Sequence, residues 1–206
     1  NRLDELTLAD HLAACDMSTY LMGKTHMKPD IAGMNRLGIE PQSELGRFLS
    51  NAGFGQGEHD DGLHTVGVAG GYRTGTPAYF EYLRKHGYAA KNPWVTHANA
   101  MQDEHGILRN GMFLKYGHLP ARVDKVHSET AYTTDRAIEM IQHMGPQNWC
   151  LHVSYIKPHW PLAAPAPYHQ MYRGMDLPQA SKISLSSGVK VKCQQRLPVG
   201  MSLIFS

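Results

Sequence analysis

Apolar residues recur along the chain at two spacings, one typical of helices and one typical of short buried strands. In "TLADHLAACD" they follow a helical spacing behind Thr7, which can cap the first turn, and "STYLMG" then predicts a buried strand. The same order returns later, where the helical pattern of "SETAYTTDRAIEMIQHMG" precedes the apolar run "NWCLHVSYI". A helix followed by a strand, twice over, predicts an open α/β sheet.

Three further segments complete the predicted organisation. An amphipathic helix is predicted at 77–88, because Pro77 suits a first helical turn and Gly87 suits a helix end. Residues 33–75 are dense in glycine and predict a long irregular loop. Residues 91–127 are polar with little periodicity and predict an insertion loop.

Candidate chemistry follows the two predicted strands. Lys24 and His26 come directly after the first strand, and Lys157 and His159 come directly after the second. Ligands of open α/β sheets bind outside the carboxyl ends of the strands, so both pairs stand where a ligand is expected. A lysine and an imidazole together suit an anion, and the two loops predict one shared anion site.

Composition and charge narrow the classes of partner. The chain has 206 residues, 42% of them hydrophobic, which is enough for a packed core. The 20 basic and 18 acidic residues give a net charge of +2 with no long basic run, so a nucleic-acid partner is not expected. No run of 18 apolar residues occurs, so no membrane partner is expected either, and oligomeric state stays open.

The beginning of the chain leaves localisation open. The start "NRLDELTLAD" contains no stretch that resembles a signal peptide. It also lacks an initiator methionine, so the N-terminus is expected to be incomplete.

Two longer stretches carry a resemblance to a known family. "TLADHLAACDMSTYLMGKTHM" resembles the sulfatase segment in which a helix and a strand lead to a G-K-x-H motif. "TTDRAIEMIQHMGPQNWCLHVSYIKPHWPLAAPAPYHQMY" resembles the later segment, where a helix and a strand lead to K-P-H-x-P and a P-x-P-Y turn. The resemblance covers roughly residues 5–173, with the two motifs in family order. The chain thus resembles a central fragment of the catalytic domain of the sulfatase family, within the alkaline phosphatase superfamily.

The resemblance implies both a fold and an activity. The implied fold is part of an alkaline-phosphatase-like α/β sheet flanked by helices and truncated at both ends. The implied activity is hydrolysis of a small-molecule sulfate ester with a formylglycine nucleophile and a divalent metal, usually calcium. Lys24 and His26 match the pair that contacts the sulfate and the formylglycine, and His159 matches the histidine that binds the sulfate and protonates the leaving oxygen. These three residues are the implied catalytic set.

Substrate binding is assigned to Lys24, His159 and, on weaker grounds, Lys157. The residue before a proline favours an extended backbone, so the alternative that Lys157 points away from the site stays open. Asp60 and Asp61 are a candidate substitute for the metal site, but they follow a predicted glycine-rich loop rather than a strand. No metal ligand is therefore assigned, and no divalent ion is expected to bind well to this chain.

The sequence also departs from the family pattern. It contains no C-x-P-x-R or S-x-P-x-R signature for the nucleophile and no D-H-G or D-N-G metal motif. Whether the chain is itself an enzyme therefore stays open, and three functions compete. They are a sulfatase-family hydrolase that is inactive as this fragment, a non-catalytic truncated or pseudogene product, and a phosphonate or phosphate monoester hydrolase.

The end of the chain differs from the rest. After Asp176 no acidic residue occurs, and the alternation of helix and strand stops. Residues 1–177 are therefore predicted to form a partial sulfatase-like catalytic domain, and 178–206 an atypical tail. That tail is either a terminal strand pair around "GVKVKC" or a non-native continuation, as a frameshift would produce.

Overall fold

A parallel three-stranded sheet organises the fold. The computed structural model describes residues 2–25, 27–60, 62, 76–176 and 178. Strands β1 (Ser18–Gly23), β2 (Gly55–His59) and β5 (Trp149–Ser154) lie in the order β2-β1-β5, and both neighbours run parallel to β1. The predicted α/β class and the two predicted strands are confirmed.

Helices and short turns connect and flank these strands. The helices are α1 (Leu8–Ala13), α2 (Ile31–Arg36), α3 (Glu44–Ser50), α4 (Ala78–Lys85) and α5 (Glu129–His143). An antiparallel hairpin joins β3 (Ala100–Gln102) to β4 (Leu108–Asn110). A π-helical turn spans Trp94–Ala98, and short 3-10 turns span Leu114–Tyr116, Lys125–His127 and Tyr168–Gln170.

Local capping explains where the predicted helices begin and end. The Thr7 hydroxyl accepts from the Asp10 backbone N–H, and the Asp10 carboxylate accepts in return from the Thr7 N–H, which is a complete capping box. Ser128 caps α5 through the Ala131 N–H. Gly87 follows α4 with φ +89°, the left-handed conformation that ends a helix.

The prediction of an irregular loop over 33–75 is wrong in its first part. Asp30 and Ser43 cap helices α2 and α3, and the glycine-rich stretch that follows forms strand β2. A Cβ on Gly55 would lie 2.9 Å from the Thr19 carbonyl oxygen, so β2 approaches β1 more closely than a side chain would allow. Pairing of the backbone, rather than an apolar pattern, makes this strand. Residues 61 and 63–75 lie outside the described part of the chain.

The prediction of an insertion loop over 91–127 is also wrong. Trp94, Met101 and Val123 from this segment are buried, and they pack with Tyr79 and Leu83 of α4. Tyr132 of α5 closes the same core. The segment therefore supplies one wall of the main hydrophobic core, and its aromatic and aliphatic residues lack periodicity because they come from turns.

Helix α5 buries only some of its apolar residues. Tyr132, Thr133 and Ala137 are buried, whereas Ile138 and Ile141 are 47% and 45% exposed. The helix is oriented by the aromatic contacts of Tyr132 with Tyr79 and Tyr82.

Within the described residues, no helix has the length and apolar character needed to cross a bilayer.

The chain divides into two compact units, Asn1–Arg173 and Gly174–Ser206. The second unit is described only at residues 174–176 and 178. The prediction of an atypical tail at 178–206 therefore lies almost wholly outside the described residues.

Candidate active site

The carboxyl ends of all three parallel strands are tied together by backbone hydrogen bonds. Lys24 follows β1, and its N–H donates to the Ser154 carbonyl at the end of β5 over 2.9 Å. Asp60 follows β2, and its N–H donates to the Gly23 carbonyl over 3.1 Å. The loops that carry Lys24, Asp60 and His159 thus leave one edge of the sheet side by side.

Gly23 is needed at this edge for two reasons. Its φ of +91° lies in the left-handed region, which side chains other than glycine rarely adopt. A Cβ at this position would also lie 2.0 Å from the Ser154 carbonyl oxygen. The glycine of the G-K-x-H motif therefore lets β1 and β5 meet where the Lys24 loop begins.

Lys24 is half-buried beside this junction. Its ammonium group makes no hydrogen bond or ion pair with the described part of the chain, so its charge is available to a ligand. His26 lies outside the described residues. Convergence of the three predicted catalytic side chains stays a prediction, although two of their loops leave neighbouring strands at the same edge.

His159 is exposed and held in one orientation by its own loop. Its N–H donates to the Ile156 carbonyl over 2.9 Å, which closes a turn directly after β5. Its ring Nδ1 lies 2.9 Å from the Trp160 carbonyl oxygen. Because a carbonyl only accepts, Nδ1 carries the proton in this contact, and Nε2 is the ring nitrogen that faces away from the loop.

Lys157 points into the protein rather than into solvent. Its ammonium donates to Asn99 Oδ1 over 2.7 Å and also to the Pro161 carbonyl. The second contact spans the loop from residue 157 to residue 161, with His159 at its centre. Sequence reasoning assigned Lys157 to the substrate, whereas these contacts occupy it inside the fold.

A pair of buried carboxyl groups lies next to this lysine. Asp60 is 4% exposed and Glu129 is 6% exposed. Asp60 Oδ1 accepts from the Gly62 N–H over 2.9 Å, and Glu129 Oε1 accepts from the Trp94 indole N–H over 2.6 Å. Among the described residues neither Asp60 Oδ2 nor Glu129 Oε2 has a donor. The two carboxyl groups lie within hydrogen-bonding reach of each other, so a shared proton would satisfy both.

Burial sets the protonation of this cluster. Loss of solvent raises the pKa of Asp60 to about 6 and, helped by the negative charge of Asp60, raises the pKa of Glu129 to about 8. Burial also lowers the pKa of Lys157 to about 8, against the opposing pull of Glu129. Near neutral pH one carboxylate, one carboxylic acid and one ammonium therefore form a neutral group of three, which limits the cost of burying charge.

The divalent metal that the resemblance implies does not fit this cluster. In the described ranges no group of three or more histidine, cysteine and acidic side chains comes together. Glu129 already feels the positive charge of Lys157, which would oppose a cation at the Asp60 and Glu129 pair. Asp61, the other acid of the pair considered from sequence, lies outside the described residues.

Sequence reasoning missed three members of this cluster. Glu129 has the appearance of an exposed first-turn acid of α5, and Trp94 and Asn99 lie in the segment predicted to be a loop. A buried role for Glu129 depends on Trp94, 35 residues away, and local pattern does not reveal such a partner. Asp60 was noticed, but the strand that precedes it was not.

Known proteins resemble the chain in sequence and in fold. No protein-family model matches it. The multifunctional alkaline phosphatase superfamily protein PehA of Trinickia caryophylli is 28% identical over 126 residues, which is 59% of this chain and 22% of that protein. The phosphonate monoester hydrolase SpPMH of Silicibacter pomeroyi matches the fold with a TM-score of 0.65 and 22% identity, over 89% of this chain and 32% of that one.

The phosphonate monoester hydrolase of Agrobacterium radiobacter matches with a TM-score of 0.57 and 18% identity, over 86% of this chain and 30% of that one. The chain is a partial homologue of alkaline phosphatase superfamily proteins. The predicted superfamily and the predicted α/β sheet flanked by helices are confirmed at this level. The chain spans 22% of the curated relative and about a third of the two solved hydrolases. Assignment to the sulfatase family in particular stays a prediction.

Proposed function

We propose that this chain supplies the anion-contacting and proton-donating part of a hydrolase that acts on small-molecule phosphonate monoesters. The proposal is carried by the edge of the sheet at which Lys24 and the His159 loop emerge side by side. It is supported by the likeness in fold to two proteins named as phosphonate monoester hydrolases. The implied partner is a small organic ester rather than a macromolecule.

The chemistry follows from charge and proton placement. A phosphonate monoester carries negative charge on the oxygens around phosphorus, and the Lys24 ammonium offers a positive charge without a competing partner in the described structure. His26, two residues further along, belongs to the same motif and is assigned to the same anion. Each donor aimed at charge that develops in the transition state contributes on the order of 3 kcal/mol.

His159 is assigned to the leaving group. Its Nδ1–H is held by the Trp160 carbonyl, so Nε2 is the nitrogen that can carry a second proton. A nucleophile that the motifs of this chain do not supply forms a bond to phosphorus as the bond between phosphorus and the leaving oxygen breaks. The proton then passes from Nε2 to that oxygen, and the imidazole returns to its neutral form. A positioned general acid of this kind contributes about a hundredfold or more in rate.

Sulfate ester hydrolysis is the second candidate. It is favoured by the G-K-x-H motif, which resembles the sulfatase pattern at residues 23–26. Both substrates present a tetrahedral anion to the same lysine and imidazoles. In either case the nucleophile lies outside the motifs of this chain, and the non-catalytic alternative applies to the 206 residues taken alone.

Binding of the ester itself tests the assignment without requiring turnover. Monophenyl phenylphosphonate and phenyl sulfate are titrated into the chain and followed by calorimetry. We expect saturable binding, weakened about tenfold by Lys24→Ala and by His159→Ala. Lys91→Ala and His105→Ala remove exposed residues of the same types outside the parallel sheet and serve as matched controls. Equal losses in all four variants would contradict the proposed site, and the tighter of the two probes identifies the preferred ester.

A further inference from the structure

We propose that Lys157 is a positioning residue, which holds the 157–161 loop so that His159 presents Nε2 to the substrate. This inference rests on the proposed function for the role of His159. In this proposal Lys157 does not contact the substrate but acts through His159. The loop and the buried cluster beneath it carry the argument.

The first observation is that Lys157 closes its own loop. Its ammonium donates to the Pro161 carbonyl, four residues further along the chain. The carbonyl that orients the His159 ring belongs to Trp160, whose peptide bond leads directly into Pro161. Lys157 therefore fixes the backbone group next to the one that selects the tautomer of His159.

The second observation is that the loop is anchored from below. Asn99, 3% exposed, accepts from the same ammonium through Oδ1. The buried Glu129 acts on the lysine electrostatically and is itself paired with Asp60. Asn99 follows the π-helical turn Trp94–Ala98, so the Lys157 ammonium connects the His159 loop to that turn.

A direct role in substrate binding fits these contacts poorly. An ammonium has three N–H donors, and two of them are directed to Asn99 and Pro161 inside the fold. The buried Glu129 also acts on Lys157 electrostatically. Turning Lys157 towards a substrate would leave the buried Asn99 Oδ1 without this donor, which costs free energy.

The His159 tautomer gives a readout that requires no ligand. Protein labelled with 15N in its histidines is examined by NMR through the long-range couplings of the imidazole ring. In the unmodified chain we expect the Nδ1–H form of His159. In Lys157→Met we expect the 15N chemical shifts of His159 Nδ1 and Nε2 to move towards each other, because the two tautomers mix. In Lys157→Arg we expect these chemical shifts to return part of the way to their values in the unmodified chain. Lys91→Met removes an exposed lysine and should leave the signals unchanged.

The loop is also fixed beyond Pro161, because the Leu162 N–H donates to the Gly111 carbonyl over 2.7 Å. Replacement of Lys157 should therefore loosen the loop without detaching it. If Lys157→Met fails to fold, Asn99→Ala keeps the lysine, removes its acceptor and should produce the same shift in smaller measure. An unchanged tautomer of His159 in a folded variant of either kind would overturn the proposal.

A double-mutant cycle separates positioning from direct contact. Affinity for monophenyl phenylphosphonate is measured for Lys157→Met, His159→Gln and the double variant. If Lys157 acts through His159, Lys157→Met should weaken the affinity about tenfold when His159 is present. The same substitution should weaken it about twofold or less when His159 is already replaced. A tenfold loss in both backgrounds would show that Lys157 contacts the anion and would overturn positioning. If the unmodified chain binds no probe, the proposed function fails, whereas the tautomer measurement still decides the role of Lys157.

Discussion

Replacing Glu129 by glutamine should change how the stability of the fold depends on pH. Glu129 is 6% exposed, and burial beside Asp60 raises its pKa from 4.5 to about 8. In the unfolded chain the same carboxyl ionises near its ordinary value. Between about pH 4.5 and 8 the folded state therefore holds a proton that the unfolded state has released. The stability that this proton contributes is fully present below pH 4.5 and is lost as pH rises through the folded pKa.

The magnitude follows from linkage. A difference of one bound proton changes the free energy of unfolding by about 1.4 kcal/mol per pH unit. Across this window Glu129 accounts for a loss on the order of a few kcal/mol, a large share of the stability of an ordinary domain. Asp60, with its pKa raised from 3.8 to about 6, adds a loss of the same sign at the acid end. Lys157 has the opposite sign, because its lowered pKa restores stability between about pH 8 and 10.5.

Urea denaturation at pH 5, 6, 7 and 8, followed by circular dichroism, measures the slope. The unmodified chain should lose stability from pH 5 to pH 8. Glu129→Gln keeps the shape of the protonated acid and accepts from the Trp94 indole N–H in the same way. Its free energy of unfolding should therefore change less with pH. Glu139→Gln, on the exposed side of the same helix, is the matched control and should keep the original slope. Parallel curves for the unmodified chain and Glu129→Gln would refute the reasoning.

Three further outcomes are expected. Gly23→Ala should lower the free energy of unfolding, measured by urea denaturation, by several kcal/mol, on the order of a clash plus left-handed strain. Gly38 has φ +67° and no atom within 4 Å of an added Cβ, so Gly38→Ala should cost only about 1–2 kcal/mol. Ser128→Ala should lower the free energy of unfolding in the same assay by about 1 kcal/mol, because α5 loses its N-cap. Ser128→Asp should restore the cap and this stability. The purified 206 residues should not hydrolyse an aryl sulfate or an aryl phosphonate above background in a phenol-release assay, because no nucleophile motif is present, and metal-dependent turnover abolished by His159→Ala would disprove this.

Local pattern predicted the parts of the fold whose signals are local. The apolar run of β5 and the cap of α1 at Thr7 depend on neighbouring residues, and both appear where they were expected. Strand β2 has no apolar alternation, since Gly55 and Gly57 carry no side chains, and it exists because β1 pairs with its backbone. A strand made by its partner cannot be recognised from its own composition.

The candidate site also combines features that local pattern predicted with features that depend on distant residues. The loops after β1 and β5 were predicted because each follows a recognisable strand and the residue types suit an anion. The direction of the Lys157 side chain could not be predicted, because its acceptor Asn99 lies 58 residues away in a segment without periodicity. The helical pattern of α5 did not reveal which of its residues are buried. Tyr132 packs against Tyr79, whereas Ile138 and Ile141 are exposed. Long-range packing, rather than propensity, decided these positions.

The parallel pairing of β1 with β5 has a consequence for the order of folding. Ser18 pairs with Trp149, and the Lys157 ammonium meets Asn99 only after the segment between them has packed. Contacts between residues so far apart in sequence form slowly, because the loop-closure entropy is lost before the pairing is gained. Helices α4 and α5 can form early from local signals, but the edge that carries Lys24 and His159 is completed late. Partly folded chains should therefore retain helical signal without binding an anion, and anion binding would report that the whole sheet has formed.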